Sequence, residues 1–426
     1  MTAHDRPASH PSIRTEGTTD ALPVAPTMGM ALEAAHMPRR STLVTRRVLL
    51  VSVYAMVIAV AAAFVARWLT ALIGIVTNLA FFGRWGTDLA SPAANHLGAW
   101  VIAVPVIGGL IVGVIARYGS QAIRGHGIPE AMEQVLLNES RIKPAMTFLK
   151  PIASAIAIGT GGPFGAEGPI IATGGAMGSF LGQVLRVTAV ERKALLAAGA
   201  AAGMAAVFGS PVSAVVLVVE LLLFELRPRT LIPVVLAATT ATGVRYALLG
   251  SAPVFAMPGV IEPGGIALAC YVALGALIGL VSVGVTWAVY AVEDAFEELP
   301  VHWMWWPAIG GLAVGVIGYF APLTFGVGYT NIEGIVNGRF TLATLAMLCA
   351  MKFLSWVIAL GSGTSGGTLA PLFTIGGALG AVIGMGIVAI APQAGIDPRI
   401  AGLVGMAAMF AGSSRAMLAS VVFAFE

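Results

Sequence analysis

Three short segments rich in glycine and proline are the first candidates for chemistry in this sequence. They read Gly-His-Gly-Ile-Pro over 125–129, Gly-Ala-Glu-Gly-Pro over 165–169 and Gly-Gly-Thr-Leu-Ala-Pro over 366–371. Each places glycine and proline where a helix would begin, and proline is tolerated there because its missing N–H would be unpaired anyway. Free backbone N–H groups at such starts carry partial positive charge and bind anions. Together the segments predict an anion site formed by backbone N–H groups, whereas any one of them alone could be an ordinary helix start.

A single carboxylate lies inside the second segment. Glu167 has no charged neighbour between Pro163 and Ser179. An ionisable side chain in an apolar membrane stretch is costly and is therefore a functional candidate. Its oxygen can occupy an anion site at helix starts, and protonation would free that site, so Glu167 can serve as gate and proton acceptor. The alternative is a cap for its own helix; we favour the gate, because the internal repeat places Leu369 at the equivalent position.

That repeat indicates which elements position the segments. Residues 159–182 and 361–384 align without a gap at an offset of 202, with nine identities, and the same offset matches 203–208 to 405–410. Chance similarity of Gly/Ala-rich stretches is the alternative, but the constant offset argues against it. Twofold repeats inserted with opposite topology bring broken helices together near the membrane midplane. The sequence therefore predicts an inverted repeat whose glycine-rich openings form the binding site.

Composition indicates a membrane protein. Hydrophobic residues make up 58% of the 426, charged residues only 10%, and glycine accounts for 53 positions. Soluble domains carry about 25% charged residues, so a soluble enzyme, a disordered chain and a nucleic-acid binder are excluded. The uncharged stretches predict about ten or more membrane helices, and their Gly/Pro interruptions predict broken and re-entrant ones. The fold class is an all-α multi-pass membrane protein; the two cysteines indicate neither a disulfide framework nor a zinc site, and no cofactor is expected.

Charged residues outside the segments receive structural interpretations. The first 45 residues, rich in Ser, Thr and Pro, predict a disordered cytosolic tail, and arginines before the first apolar run predict a cytoplasmic N-terminus. A membrane domain is predicted over 46–426, with repeats of about 46–250 and 251–426. We expect Lys352 to extend toward a membrane face, and the acidic residues of 293–298 to form a solvated turn rather than a metal site.

Taken together, the three segments resemble the anion-binding motifs GSGIP, G[KR]EGP and GGxFAP of the CLC chloride channel and chloride/proton antiporter family. Their order and spacing agree, and the similarity covers about residues 47–426. It implies a homodimer in the lipid bilayer of the cell membrane, with one chloride pathway per subunit and no enzyme activity. Glu167 matches the external gating glutamate. The matching anion-binding positions are Gly125, His126, Gly127, Ile128, Pro129, Ala166, Gly168, Thr368, Leu369 and Ala370.

The sequence departs from the family motifs at three binding positions. His126 replaces a serine whose hydroxyl usually touches the anion; the imidazole can still donate an N–H, or its ring can be turned aside. Ala166 replaces a basic residue beside the gate, which predicts weaker recruitment of anions from outside. Leu369 replaces a phenylalanine, which should matter little for a backbone contact.

Proton handling also differs from the pattern in the family's antiporters. These often have two acids in a row, the second being the internal proton acceptor. Here Glu220 matches the first acid, but Leu221 stands in place of the second and cannot carry a proton. Glu220 and Glu225 remain candidates for a secondary proton relay, with a solvated helix end as the alternative for Glu225. The substitution favours a channel, or an antiporter in which protons enter through water.

The chain ends at Glu426, where family members continue into another helix whose tyrosine contacts the central anion. We therefore expect the sequence to be a fragment, and that tyrosine is not assigned.

Two other functions were weighed. The pattern Gly-Thr-Ser-Gly over 363–366 resembles the nucleophile motif of intramembrane serine proteases, but no histidine follows His302 to act as its base. A proton-coupled transporter of a cation or an organic solute usually needs several acidic or carbonyl ligands, and only Glu167 lies deep in an apolar stretch. Both are disfavoured.

Overall fold

The computed structural model describes residues 46–185, 187–260 and 262–426 of the chain. The tail predicted over 1–45 lies outside the described residues. Within the described ranges the chain is helical, and its one bridged pair, Gly165 and Gly367, belongs to no strand. The predicted all-α class is confirmed.

Fifteen α-helices make up the described part of the chain. They are α1 Arg46–Phe82, α2 Ala103–Tyr118, α3 Ile128–Leu137, α4 Met146–Gly159, α5 Glu167–Val184, α6 Ala189–Phe208, α7 Pro211–Val218, α8 Pro228–Leu249, α9 Gly265–Glu297, α10 Trp306–Phe320, α11 Tyr329–Val336, α12 Leu342–Gly361, α13 Leu369–Ile390, α14 Pro398–Ser414 and α15 Met417–Phe425.

Membrane-crossing helices are fewer than the sequence predicted. Among the described residues, seven are long and apolar enough to span: α1, α8, α9, α12, α13, and α2 and α10 with their preceding turns. The estimate of ten or more is too high by this measure, because several apolar helices are short. A span needs about 20 residues, whereas α4 has 14, and α7 with the turn after it extends only over Pro211–Leu223. That broken or re-entrant helices enter the membrane stays a prediction.

The outer surface of α9 illustrates the multi-pass character. Its large apolar side chains Val272, Leu280 and Trp287 are each about 70% exposed. A stable soluble protein rarely exposes a continuous apolar face of this kind. The helix therefore presents this face to lipid.

The internal repeat is visible in the packing of α2 against α10. A Cβ on Gly109 would lie 2.2 Å from the carbonyl oxygen of Pro307, and one on Gly311 would lie 2.4 Å from that of Pro105. The two contacts are related by the 202-residue offset. Small residues let membrane helices approach closely, so much of the chain's glycine serves helix packing as well as helix starts.

Two buried lysines, 202 residues apart in the sequence, make equivalent contacts in the two halves. Lys150 donates from Nζ to the carbonyls of Ile123 (2.9 Å) and Gly125 (2.8 Å), and Lys352 donates to those of Thr324 and Gly326 (2.9 Å each). Lys352 has no exposed surface, so the expectation that it extends to a membrane face is wrong. Backbone carbonyls of a folded loop bind its ammonium group inside the protein, which compensates for burial.

Candidate anion pathway

The three glycine-rich segments meet at the centre of the described bundle. Gly165 and Gly367 exchange backbone hydrogen bonds of 3.0 and 2.9 Å, and the Gly366 N–H donates to the Gly125 carbonyl at 3.4 Å. Gly168 has no room for a side chain, since a Cβ there would lie 2.3 Å from the carbonyl oxygen of His126. The starts of α5 and α13 are thereby held beside residues 125–127. The second and third segments are 202 residues apart in the sequence, and the packing of the two repeats brings them together.

The carboxylate of Glu167 lies at this junction. Its side chain is fully buried, and Oε1 accepts a hydrogen bond of 2.7 Å from the hydroxyl of Tyr329. The backbone N–H groups of Glu167 and Ala370, at the starts of α5 and α13, also lie next to the carboxylate. Oε2 is buried without a full hydrogen bond. A negative group therefore occupies the place where these helix starts favour an anion.

An inner cavity of about 450 Å³ approaches the junction from one side. Of the predicted binding residues, Gly125, His126, Ile128, Pro129 and Thr368 line it, together with Leu221. The other predicted positions are buried: Gly127 precedes α3, Ala166 precedes α5, Gly168 lies in its first turn, and Leu369 and Ala370 begin α13.

Charged side chains also line the inner cavity. Glu293 and Glu297 belong to the last turns of α9 and line this cavity; both are exposed, as predicted for 293–298, although the segment up to Glu297 is helical rather than a turn. Glu130 lines it as well, and its Oε2 accepts a 2.6 Å hydrogen bond from the N–H of Gly127. Arg124 adds a positive charge to the same wall.

Tyr329 lines a separate, smaller cavity of about 80 Å³. The two cavities share no lining residue, and Glu167 lines neither. Its carboxylate contacts Tyr329 on one side and lies next to Ala370, two residues from Thr368, on the other. The buried carboxylate therefore contacts a residue that lines the smaller cavity and lies within a few residues of the lining of the inner cavity.

Comparison with known proteins identifies the family. A family model described as voltage gated chloride channel matches residues 108–426. This chain belongs to that family. Among its relatives are a ClcB-like chloride channel protein of Ralstonia nicotianae, 29% identical over 78% of this chain and 79% of the relative, and the H(+)/Cl(-) exchange transporter ClcA of Vibrio vulnificus, 30% identical over 84% and 81%.

Solved structures share the fold. A slow cyanobacterial Cl-/H+ antiporter superposes with a TM-score of 0.76 at 22% identity, covering 88% of each chain. A CLC-type fluoride/proton antiporter gives a TM-score of 0.70 at 20% identity, covering 90% of this chain and 91% of the other. The CLC-type fold implied by the motifs is confirmed.

Glu220, a predicted proton relay in this CLC chain, makes a structural contact. It lies in a π-helical turn, Val219–Leu223, that follows α7, and its two oxygens accept from the N–H groups of Leu418 and Ala419 at the start of α15, at 2.9 and 3.0 Å. Glu225 pairs with Arg227 at 3.2 Å. The relay role of both stays a prediction.

Glu426 makes the reciprocal contact, with the start of α7. Its carboxylate accepts from the N–H groups of Val212 (3.0 Å) and Ser213 (2.8 Å) at the start of α7. Each half thus contributes a glutamate that caps the start of the short helix of the other. No metal site competes for these carboxylates within the described ranges, where no group of three or more potential ligands occurs.

Tyr329 is the site residue that sequence reasoning missed. The glycines of the first segment, Gly125 and Gly127, correspond to Gly326 and Gly328 at an offset of 201, one residue less than the offset that relates the other two segments. Gly127 and Gly328 both have positive φ and directly precede a short helix, so Tyr329 is the repeat counterpart of Ile128. The same Gly-x-Gly pattern in the second half marks a fourth segment, Gly-Val-Gly-Tyr over 326–329.

Proposed function

We propose that this chain carries chloride or a similar small monovalent anion across a membrane, through a pathway gated by Glu167. One observation supports the proposal above the others: a fully buried carboxylate lies at the facing starts of α5 and α13, between two cavities. A bound anion and this carboxylate require the same backbone N–H groups and cannot use them together.

Transport follows from that competition. While Glu167 is ionised and in place, it blocks passage between the cavities. Protonation removes its charge, the N–H groups then favour an external anion, and the side chain can leave. Backbone N–H groups bind an anion more weakly than a fixed cation would, which allows release. The names of the relatives, chloride channel and H(+)/Cl(-) exchange transporter, support the same substrate class.

Proton coupling is the second candidate. Leu221 lines the inner cavity where the family's antiporters often have an acid, which favours a channel. The same cavity carries Glu130, Glu293 and Glu297, so protons have carboxylates along a water-accessible route toward Glu167. An antiporter with proton entry through this cavity is therefore kept beside the channel.

The assembly and location belong to the same proposal. We place the chain in the cell membrane as a homodimer with one pathway per subunit and with a cytoplasmic N-terminus, and we expect no cofactor. Family membership supports the dimer, and the arginines at 39–47 support the orientation.

Flux measurement in proteoliposomes tests the proposal. Purified chain is reconstituted with internal chloride, and efflux is followed with a chloride electrode while a pH electrode records protons. Glu167→Ala should keep anion flux, raise it about tenfold at neutral pH, and abolish its pH dependence, since a carboxylate–donor interaction is worth about 1.5–3 kcal/mol. Glu333→Gln, which alters a carboxylate paired with Arg339 and outside both cavities, is the matched control and should behave like the unmodified chain.

Two outcomes would reject parts of the proposal. If neither the unmodified chain nor Glu167→Ala carried chloride, nitrate or fluoride, anion transport would be wrong. If Glu167→Ala lost all flux while the unmodified chain transported anions, the gate assignment would be wrong. Proton movement against its gradient, driven by chloride, would identify an antiporter.

A further inference from the structure

We infer that Tyr329 is a latch that holds the gate of this pathway shut, by donating its hydroxyl to Glu167. The inference rests on the proposed gating role of Glu167 and adds a specific regulator of it. The hydrogen bond of 2.7 Å joins residues 162 positions apart; the carboxylate is fully buried and the tyrosine partly buried. A hydrogen bond to a charged acceptor is among the strong ones, so breaking it adds to the energy of opening.

The ring of Tyr329 is held in place by aromatic neighbours. Its centroid lies 6.4 Å from that of Phe208 and 6.0 Å from that of Phe255, both in edge-on arrangements. Phe208 is the last residue of α6 and also contacts Phe423 edge-on at 4.8 Å. Such packing restricts the ring, so the hydroxyl stays at a fixed position while the flexible glutamate moves.

The backbone before Tyr329 is fixed as well. Gly328 adopts a left-handed conformation (φ 82°) that starts α11 at Tyr329. Lys352 bonds the carbonyls of Thr324 and Gly326 just upstream, and Asn331 donates from Nδ2 to the carbonyl of Leu323 at 2.7 Å. Tyr329 therefore begins a helix whose start is anchored by these hydrogen bonds.

The two carboxylate oxygens of Glu167 differ in their hydrogen bonds. Oε1 has the tyrosine hydroxyl, whereas Oε2 is buried without a full hydrogen bond. A carboxylate meant as a permanent structural cap would be expected to satisfy both oxygens, as Glu220 and Glu426 do. One strong side-chain hydrogen bond at Oε1 and no full hydrogen bond at Oε2 suit a group that must be held and then released.

Charged groups on neighbouring elements are engaged elsewhere. Lys150 on α4 and Lys352 on α12 bond loop carbonyls, and Glu130 on α3 bonds the N–H of Gly127. His126 lines the inner cavity. Glu333, on the same helix as Tyr329, pairs with Arg339 at 3.1 Å. Tyr329 is therefore the titratable side chain that contacts Glu167 directly in the described part of the chain.

The test compares four proteins in the proteoliposome assay: the unmodified chain, Tyr329→Phe, Glu167→Ala and the double variant. Phenylalanine keeps the ring and its packing but removes the donor. At neutral pH we expect Tyr329→Phe to raise chloride flux about tenfold, since a hydrogen bond to a charged group is worth about 1.5–3 kcal/mol. At acid pH, where Glu167 is neutral, the two should converge. In the Glu167→Ala background the tyrosine substitution should change nothing.

A matched control removes another buried tyrosine hydroxyl. Tyr271 lies on α9, is 5% exposed and lines neither cavity. Its hydroxyl accepts a hydrogen bond of 2.8 Å from the N–H of Asp397. Tyr271→Phe should leave the pH profile of flux unchanged. Gel filtration of each variant checks assembly, and flux in the double variant equal to that of Glu167→Ala checks that the pathway remains intact without the hydroxyl.

The outcomes separate the latch from the proposed function. If the unmodified chain and Glu167→Ala carry anions but Tyr329→Phe matches the unmodified chain at every pH, the latch is wrong and the gate stands. An equal fall in flux in both backgrounds also overturns it, since that marks a structural role. If no protein in the set carries anions, the transport proposal itself has failed.

Discussion

Glu167 and Leu369 occupy equivalent places in the two halves of the molecule, yet only one of them can hold a charge. Each begins a helix, α5 or α13, and the glycines two residues before them pair through two backbone hydrogen bonds. The next pair of segments differs in the same way, since Ile128, the first residue of α3, corresponds to Tyr329, the first residue of α11. The backbone is shared, and the side chains are not.

This difference divides the work of the pathway. Two similar backbones supply facing helix starts, which is what an anion site requires. One half then contributes the carboxylate and the other half the hydroxyl that bonds it. A symmetric pair of glutamates would place two negative charges at one junction, where they would repel each other. The gate therefore depends on the halves having diverged at these positions.

The largest expected effect tests whether the shared backbone depends on its two lysines equally. Lys150→Met and Lys352→Met should each lower the free energy of unfolding by about 3 kcal/mol, because each leaves buried carbonyls without a donor. Thermal unfolding in detergent, followed by tryptophan fluorescence, measures it. Exposed Lys143→Met is the control and should change little. If only one lysine mattered, the halves would not be structurally equivalent.

A smaller effect concerns the exchanged caps. Glu220→Gln and Glu426→Gln should each destabilise by about 1 kcal/mol, since each removes a charge from a helix start in the other repeat. Glu225→Gln should have less effect, because Glu225 pairs with Arg227, two residues away in the chain, rather than with a helix start of the other repeat. Glu220→Gln should also leave the ratio of protons to anions unchanged. A change in that ratio would restore Glu220 as a proton relay.

The smallest expected effect concerns a charged residue on the wall of the inner cavity. Arg124 lies over the rings of Trp303 and Trp306, at 5.1 and 5.3 Å, on the wall of the inner cavity. Arg124→Gln should lower anion flux about threefold in dilute salt and much less near 1 M, because the screening length falls from about 30 Å to about 3 Å. Arg117→Gln, outside both cavities, is the control. A loss that ignores salt would indicate a packing role.

Much of the site could be predicted because its signals are local. Glycine and proline at helix starts, an isolated glutamate and a constant offset are properties of short stretches, and they led to Glu167 and to residues 125–129 and 366–371. Tyr329 was missed because its segment, Gly-Val-Gly-Tyr, repeats the glycines of 125–127 one residue away from the 202-residue offset and is not followed by a proline. Lys352 was misjudged because a lysine beside an apolar run has the same sequence appearance whether its ammonium reaches water or buried carbonyls.

The sequence by itself determined the membrane class, the repeated architecture, the family and the helix start that carries the carboxylate. These follow from composition and backbone propensity, which act over a few residues at a time. Only the tertiary structure decided that Tyr329 bonds Glu167, that two lysines are buried, and that Glu293 and Glu297 line the inner cavity. Those facts depend on how helices far apart in the chain pack together, because a buried polar group takes the partner that packing brings within reach.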